Sequence, residues 1–112
     1  MSTRLPGARY KGIFDRGRSI KGRLLVAWFL SSDDVDRRAG VVVSKKSFHD
    51  AVDRNRAKRL LREAYRLLVK SGVAPANTEW IFIGRAALGG KRCQDVAEEM
   101  KCIMSRVSRP RP

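Results

Sequence analysis

Cysteine and histidine are almost absent from this 112-residue chain, and acidic side chains are heavily outnumbered. Two cysteines, Cys93 and Cys102, make no disulfide framework. If both lie on one helix, their spacing puts them on opposite faces and ~13 Å apart along the axis. That is beyond the reach of a disulfide. His49 is the one histidine, so a structural zinc site lacks its ligand set. No apolar run approaches the ~20 residues of a membrane span. The longest, residues 24–30, is strand-sized. The opening MSTRLPGARYKG has no hydrophobic stretch of signal-peptide type, and a cytoplasmic protein is expected.

What is abundant is positive charge. Lys and Arg number 25 against 11 Asp and Glu, a formal net charge of +14. Such a field attracts polyanions, meaning nucleic acid or an anionic membrane surface. Neutralising phosphates releases counterions and gives affinity that falls with salt. A merely soluble, supercharged surface is the bland alternative, but the charge exceeds what small domains ordinarily carry. Hydrophobic residues make up 43% of the chain, enough for a core. One domain over residues 1–112 is expected, with an ordered core at about 5–107 and basic ends.

Periodicity predicts a short helix over residues 8–16, stopped at Gly17, with Tyr10, Ile13, Phe14 and Gly17 on one face. Residues 20–30 read as a strand, with Leu24, Val26, Trp28 and Leu30 on one side and Leu25, Ala27 and Phe29 on the other. Apolar residues on both sides mark an interior strand. Residues 31–38 form a polar loop rich in turn formers. Further strands are expected at residues 40–44 and 79–85. In the later one, Trp80, Phe82 and Gly84 alternate against Ile81 and Ile83. A long helix is expected over Ala51–Lys70, with Asp50 or Ser47 as N-cap and Gly72 as the stop. A last helix over Cys93–Val107 has the core stripe Val96, Met100, Ile103, Met104 and Val107. Three or four strands with three helices make an α/β, or α+β, two-layer sandwich.

The segment RNRAKRLLREAYRLLVK is the most informative. One arc of the helix collects Ala57, Leu60, Leu61, Ala64, Tyr65, Leu67 and Leu68. The opposite arc holds Arg54, Lys58, Arg62 and Arg66 in one i, i+4 row, flanked by Arg59 and Lys70, with Arg56 further round. Row neighbours lie ~5–6 Å apart and repel unless an outside anion intervenes. Glu63 alone offers little relief. A solvated face usually mixes its charges, and this one hardly does. Arginine suits forked contacts to phosphate oxygens. A membrane-surface helix would need the apolar arc that the sheet requires.

The same residues carry a family resemblance. Lys45 and Lys46, then AVDRNRAKRLLREAYR, strongly resemble the signature of the bacterial ribonuclease P protein component. Its hallmark is an Arg-Asn-Arg motif opening a basic helix, here Arg54, Asn55 and Arg56, shortly after a strand ending Ser-Lys-Lys, here Ser44 to Lys46. The resemblance runs from Leu5 to about Val107. The connector Ser47 to Asp50 departs from it, being longer than the short glycine-containing link of the family. The resemblance implies a small mixed sheet with three helices, like domain 2 of ribosomal protein S5. It also implies a left-handed βαβ crossover, against the usual hand. It implies the protein subunit of a ribonucleoprotein that removes 5′ leaders from precursor tRNA, with the catalytic RNA subunit and precursor tRNA as partners. Neither a membrane nor an obligate protein partner is expected. Lys45, Lys46, Arg54, Asn55, Arg56, Lys58, Arg59, Arg62 and Arg66 would face the RNA. Magnesium would be held mainly by the RNA subunit, with Asn55 helping to bind the hydrated ion.

Single strands are held by stacking platforms beside positive charge. Tyr10, Phe14 and Trp28 match the family's aromatic cleft, although Trp28 stands where a tyrosine is usual. Residue chemistry alone favours ordinary core aromatics; the resemblance favours a leader-binding cleft. Trp80 and Phe82 belong to the core. No acid–base pair or carboxylate cluster is legible. Asp50 and Asp53 beside His49 complement a helix N-terminus, so no catalytic residue is assigned and the protein alone should be inactive. The alternatives are a ribosomal-type or general RNA-binding module and, third, a self-sufficient nuclease.

Overall fold

The computed structural model describes residues 5–31 and 37–107. The basic ends and the polar loop at 31–38 lie partly or wholly outside these residues. A 3-10 turn at Gly7–Arg9 leads into α1 (Tyr10–Arg16), so the expected helix is present with its first turn wound tighter. Gly17 ends it because of close approach: a Cβ there would press on the carbonyl oxygens of Ile13 and Phe29.

The strand expected at residues 20–30 is two strands. β1 (Arg18–Lys21) and β2 (Leu25–Ser31) form an antiparallel hairpin in which Lys21 faces Val26. The cause lies on the last helix, α3 (Cys93–Val107). Its Glu99 carboxylate accepts the backbone N–H groups of Arg23 and Leu24 at 2.9 Å and of Leu25 at 3.0 Å. A Cβ on Gly22 would come within 2.7 Å of that carboxylate, so glycine leaves it room. Leu24, expected beside Trp28, precedes β2 and packs against the core on the other face. Glu99→Ala should cost about 1.5–3 kcal/mol, the range for hydrogen bonds to a charged group, with Glu99→Gln recovering part of it. Urea unfolding measures both; an unchanged midpoint in Glu99→Ala would mean the hairpin forms without this cap.

β3 (Arg38–Val42) starts and stops earlier than residues 40–44, because the chain turns after it and Ser44 Oγ accepts the Ser47 amide. β4 (Thr78–Gly84) alternates as expected, with Trp80 and Phe82 on one face and Ile81 and Ile83 on the other. α2 spans Ala51–Lys70. Asp50 occupies its N-cap position, yet its side chain makes no cap bond, and Ser47 lies back in the preceding turn. The helix ends in a Schellman motif. Gly72 has φ 77°, its amide donates to Val69 O at 3.2 Å, and the Val73 amide donates to Leu68 O at 3.0 Å.

The sheet order is β1-β2-β4-β3. β2 is antiparallel to both neighbours, while β3 and β4 run parallel and are joined through α2. α2 and α3 cover one face. There Ala57, Leu61, Ala64, Tyr65 and Leu68 meet Val96, Met100, Ile103 and Met104 above Leu25, Ala27, Trp80 and Phe82. Trp80 and Phe82 are fully buried in this core, as expected, and their rings stack within 9° of parallel. Val107 is only partly buried, and Leu67, expected on the apolar arc, is 48% exposed. α1 lies on the opposite face, where Leu5 and Ile13 pack with Ile81. The two-layer description therefore holds for α2, α3 and the sheet, and α1 adds a partial third layer.

Candidate nucleic-acid interface

Strand register builds the face under α1 in rows. One row runs Ser19, Trp28, Ile81, Gly40; the next runs Lys21, Val26, Ile83, Val42. α1 covers the first row from Gly40 to Trp28 and leaves Ser19 exposed. Tyr10 lies over Gly40, where any Cβ would collide with its ring, so this glycine admits the tyrosine. Ile13 is fully buried, which leaves Phe14 at the rim, 38% exposed. Phe14 meets Trp28 edge to face, ring centroids 5.3 Å apart at 75°. The second row is not roofed: Val26, Ile83 and Val42 are half-buried and Lys21 is exposed. Tyr10, Phe14 and Trp28 are thus brought together at the edge of an open apolar trough with a cation on its flank. An unpaired base can lie on such a surface at no cost of opening a duplex.

Sequence reasoning missed the floor of this trough. Lys21 was hidden because β1 carries almost no hydrophobic signal; Ile20 is its one partly buried apolar residue. Also unforeseen is Glu79, fully buried under α1, whose carboxylate accepts two N–H groups of Arg9, Nη2 at 2.6 Å and Nε at 3.0 Å.

The second surface is the outer face of α2. Asn55, Lys58, Arg59, Arg62, Glu63 and Arg66 line a groove of about 400 Å³. Among the described residues nothing forms an ion pair with these four cations. Their repulsion is therefore left for solvent or an outside anion to screen. On α3, burial pushes the Cys93 thiol up, and the Glu63 carboxylate adds to that shift. Arg56 is exposed at the start of the helix. Arg54 differs from the rest: its guanidinium donates to the carbonyls of Phe48 and His49, at 3.0 and 2.7 Å. It ties the helix start to the connector, which Phe48 anchors in the core. Exposed Lys45 and Lys46 sit on the turn before that anchor, at the same end of the sheet as the first turn of α2.

Among the described residues no three His, Cys, Asp or Glu side chains gather as a metal site. Asn55 offers one neutral amide beside cations, which repel a bare divalent ion. No helix of the described residues is long and apolar enough to cross a membrane.

A family model described as Ribonuclease P matches residues 5–108. The ribonuclease P protein component of an Exiguobacterium species is 37% identical over 97 residues, covering 87% of this chain and 82% of that protein. Its counterpart in Pelotomaculum thermopropionicum is 36% identical over 97 residues, covering 87% and 84%. Among solved structures, the RNase P protein from Thermotoga maritima superposes with a TM-score of 0.80 at 28% identity, covering 95% of this chain and 98% of that one.

Proposed function

The chain belongs to the ribonuclease P protein family, and from that premise we propose how its two surfaces divide the work of tRNA processing. The protein is a component of a ribonucleoprotein whose other part is an RNA subunit. Membership sets aside the reading as a ribosomal or general RNA-binding module. In the proposed division, the α2 groove takes phosphates of the RNA subunit through Lys58, Arg59, Arg62 and Arg66. Asn55, Arg56, Lys45 and Lys46 extend that contact, and Arg54 holds the helix start in place. The trough beside Tyr10, Phe14 and Trp28 takes the unpaired 5′ leader of precursor tRNA. Magnesium comes mainly on RNA phosphates, with Asn55 contacting its water shell. The protein supplies no acid, base or nucleophile, and the RNA subunit carries the chemistry.

One observation carries this reading. The cationic groove belongs to the helix packed on one face of the sheet, and the aromatic trough lies on the other. A single small protein can therefore hold two RNA segments at once without their competing for a surface. Reconstitution tests it. Protein added to a bacterial ribonuclease P RNA should raise precursor cleavage at low magnesium, where phosphate repulsion is least screened. Protein alone should cleave nothing. No rise, or cleavage by RNA-free protein that His49→Ala abolishes, would contradict the proposal.

A further inference from the structure

Glu79 is out of place by ordinary expectation. The chain is short of acids, yet this one is 0% exposed, on the face of β4 that floors the aromatic trough. A carboxylate buried there without compensation would be costly to desolvate and would repel an RNA strand. Arg9 compensates it through a two-pronged contact, Nη2 to Oε1 at 2.6 Å and Nε to Oε2 at 3.0 Å. Such a fork fixes direction as well as distance, which a lysine cannot do.

The position of Arg9 gives the fork its consequence. Arg9 immediately precedes Tyr10, the first residue of α1. At the other end of α1, Gly17 packs against the carbonyl of Phe29 so closely that no Cβ fits. α1 is thus pinned to the sheet at both ends, to β4 through the fork and to β2 through Gly17. Between the pins stand Tyr10 over Gly40 and Phe14 edge-on to Trp28. We propose that Arg9 and Glu79 are a positioning pair that sets the height of α1 above the sheet and so the opening in which a leader base stacks. The proposal rests on the leader reading of the trough. It assigns the pair no contact with RNA.

Stability alone does not establish this role: Arg9 is half-exposed but Glu79 is fully buried, so removing Arg9 leaves a buried carboxylate without its counter-charge and destabilises in any case. Replacing both partners by apolar residues separates the two effects, since no buried charge is then left unpaired. The test compares wild type, Arg9→Met/Glu79→Leu, Arg9→Lys and Phe14→Ala in the reconstituted holoenzyme. Affinities for precursor and mature tRNA are measured, together with the melting temperature of each protein. The double variant should melt near wild type yet lose about fivefold or more of its preference for precursor, the lower end of what one stack is worth. Arg9→Lys keeps the charge without the fork. It should remain folded and lose part of the same preference, with mature tRNA binding unchanged. Wild-type preference in both variants would overturn the pair's role while leaving the trough intact, provided Phe14→Ala has lost it. No preference for precursor in the wild type itself would overturn the leader reading and the pair with it.

Discussion

Phe14→Ala is expected to weaken precursor binding by the holoenzyme ~5–100-fold while leaving mature tRNA binding nearly unchanged, because one stacked base is worth ~1–3 kcal/mol. The lower end is favoured, since Phe14 is 38% exposed and its stack stays partly wet. Mature tRNA has no leader and cannot collect that energy. The protein itself should suffer little. The edge-to-face contact with Trp28 is worth about 0.5–1.5 kcal/mol, and the fully buried neighbour Ile13 keeps α1 seated. Tyr10→Phe should cost less than Phe14→Ala, because the ring over Gly40 remains. The check is to measure both affinities and the melting temperature on one Phe14→Ala preparation. Equal weakening of precursor and mature tRNA, or gross unfolding, would return Phe14 to a purely structural role.

The second large effect belongs to α2. Arg59 and Arg62 line the cationic groove and have no ion pair among the described residues. Each phosphate contact removed should lower the slope of log affinity against log salt by ~0.7–0.9, so Arg59→Ala/Arg62→Ala should lower it by ~1.4–1.8. At low salt the loss of affinity for the RNA subunit should be largest, and at high salt mutant and wild type should converge. Folding should be untouched or slightly improved, because like-charge repulsion is removed and no buried contact is lost. An unchanged slope would mean that the groove is only a solvated helix face.

Elements with strong periodicity were legible in the sequence. α2 and α3 lie at the expected residues because each buries a continuous apolar stripe. β4 was legible because its two faces meet different cores. The β1–β2 hairpin was not. Its break depends on a carboxylate from Glu99, far away in sequence, reaching the amides of residues 23–25. No local pattern contains that contact. Residue type and spacing were enough to mark the cationic row, since charge needs no partner to be recognised. They could not show that Arg54 turns back onto the connector carbonyls, which requires knowing where Phe48 is buried. The aromatic trio needed the family resemblance, because buried and stacking aromatics look alike in sequence. The structure shows how they differ in exposure: Trp80 and Phe82 are fully buried, while Phe14 is left at the rim. The buried Glu79 was hidden by the strand signal around it, since alternation says which face a residue takes but not what covers it.

The division of labour between the two faces is tested most directly by site-directed crosslinking. Cys93 and Cys102 are free thiols and can be replaced by serine, leaving a photoreactive probe on Phe14→Cys or on Arg62→Cys as the sole label. In the holoenzyme bound to precursor tRNA, the probe at position 14 should crosslink to the single-stranded leader, and the probe at position 62 to the RNA subunit. Crosslinking of position 14 to the RNA subunit with none to the leader, or of position 62 to the leader, would contradict the assignment of the two faces.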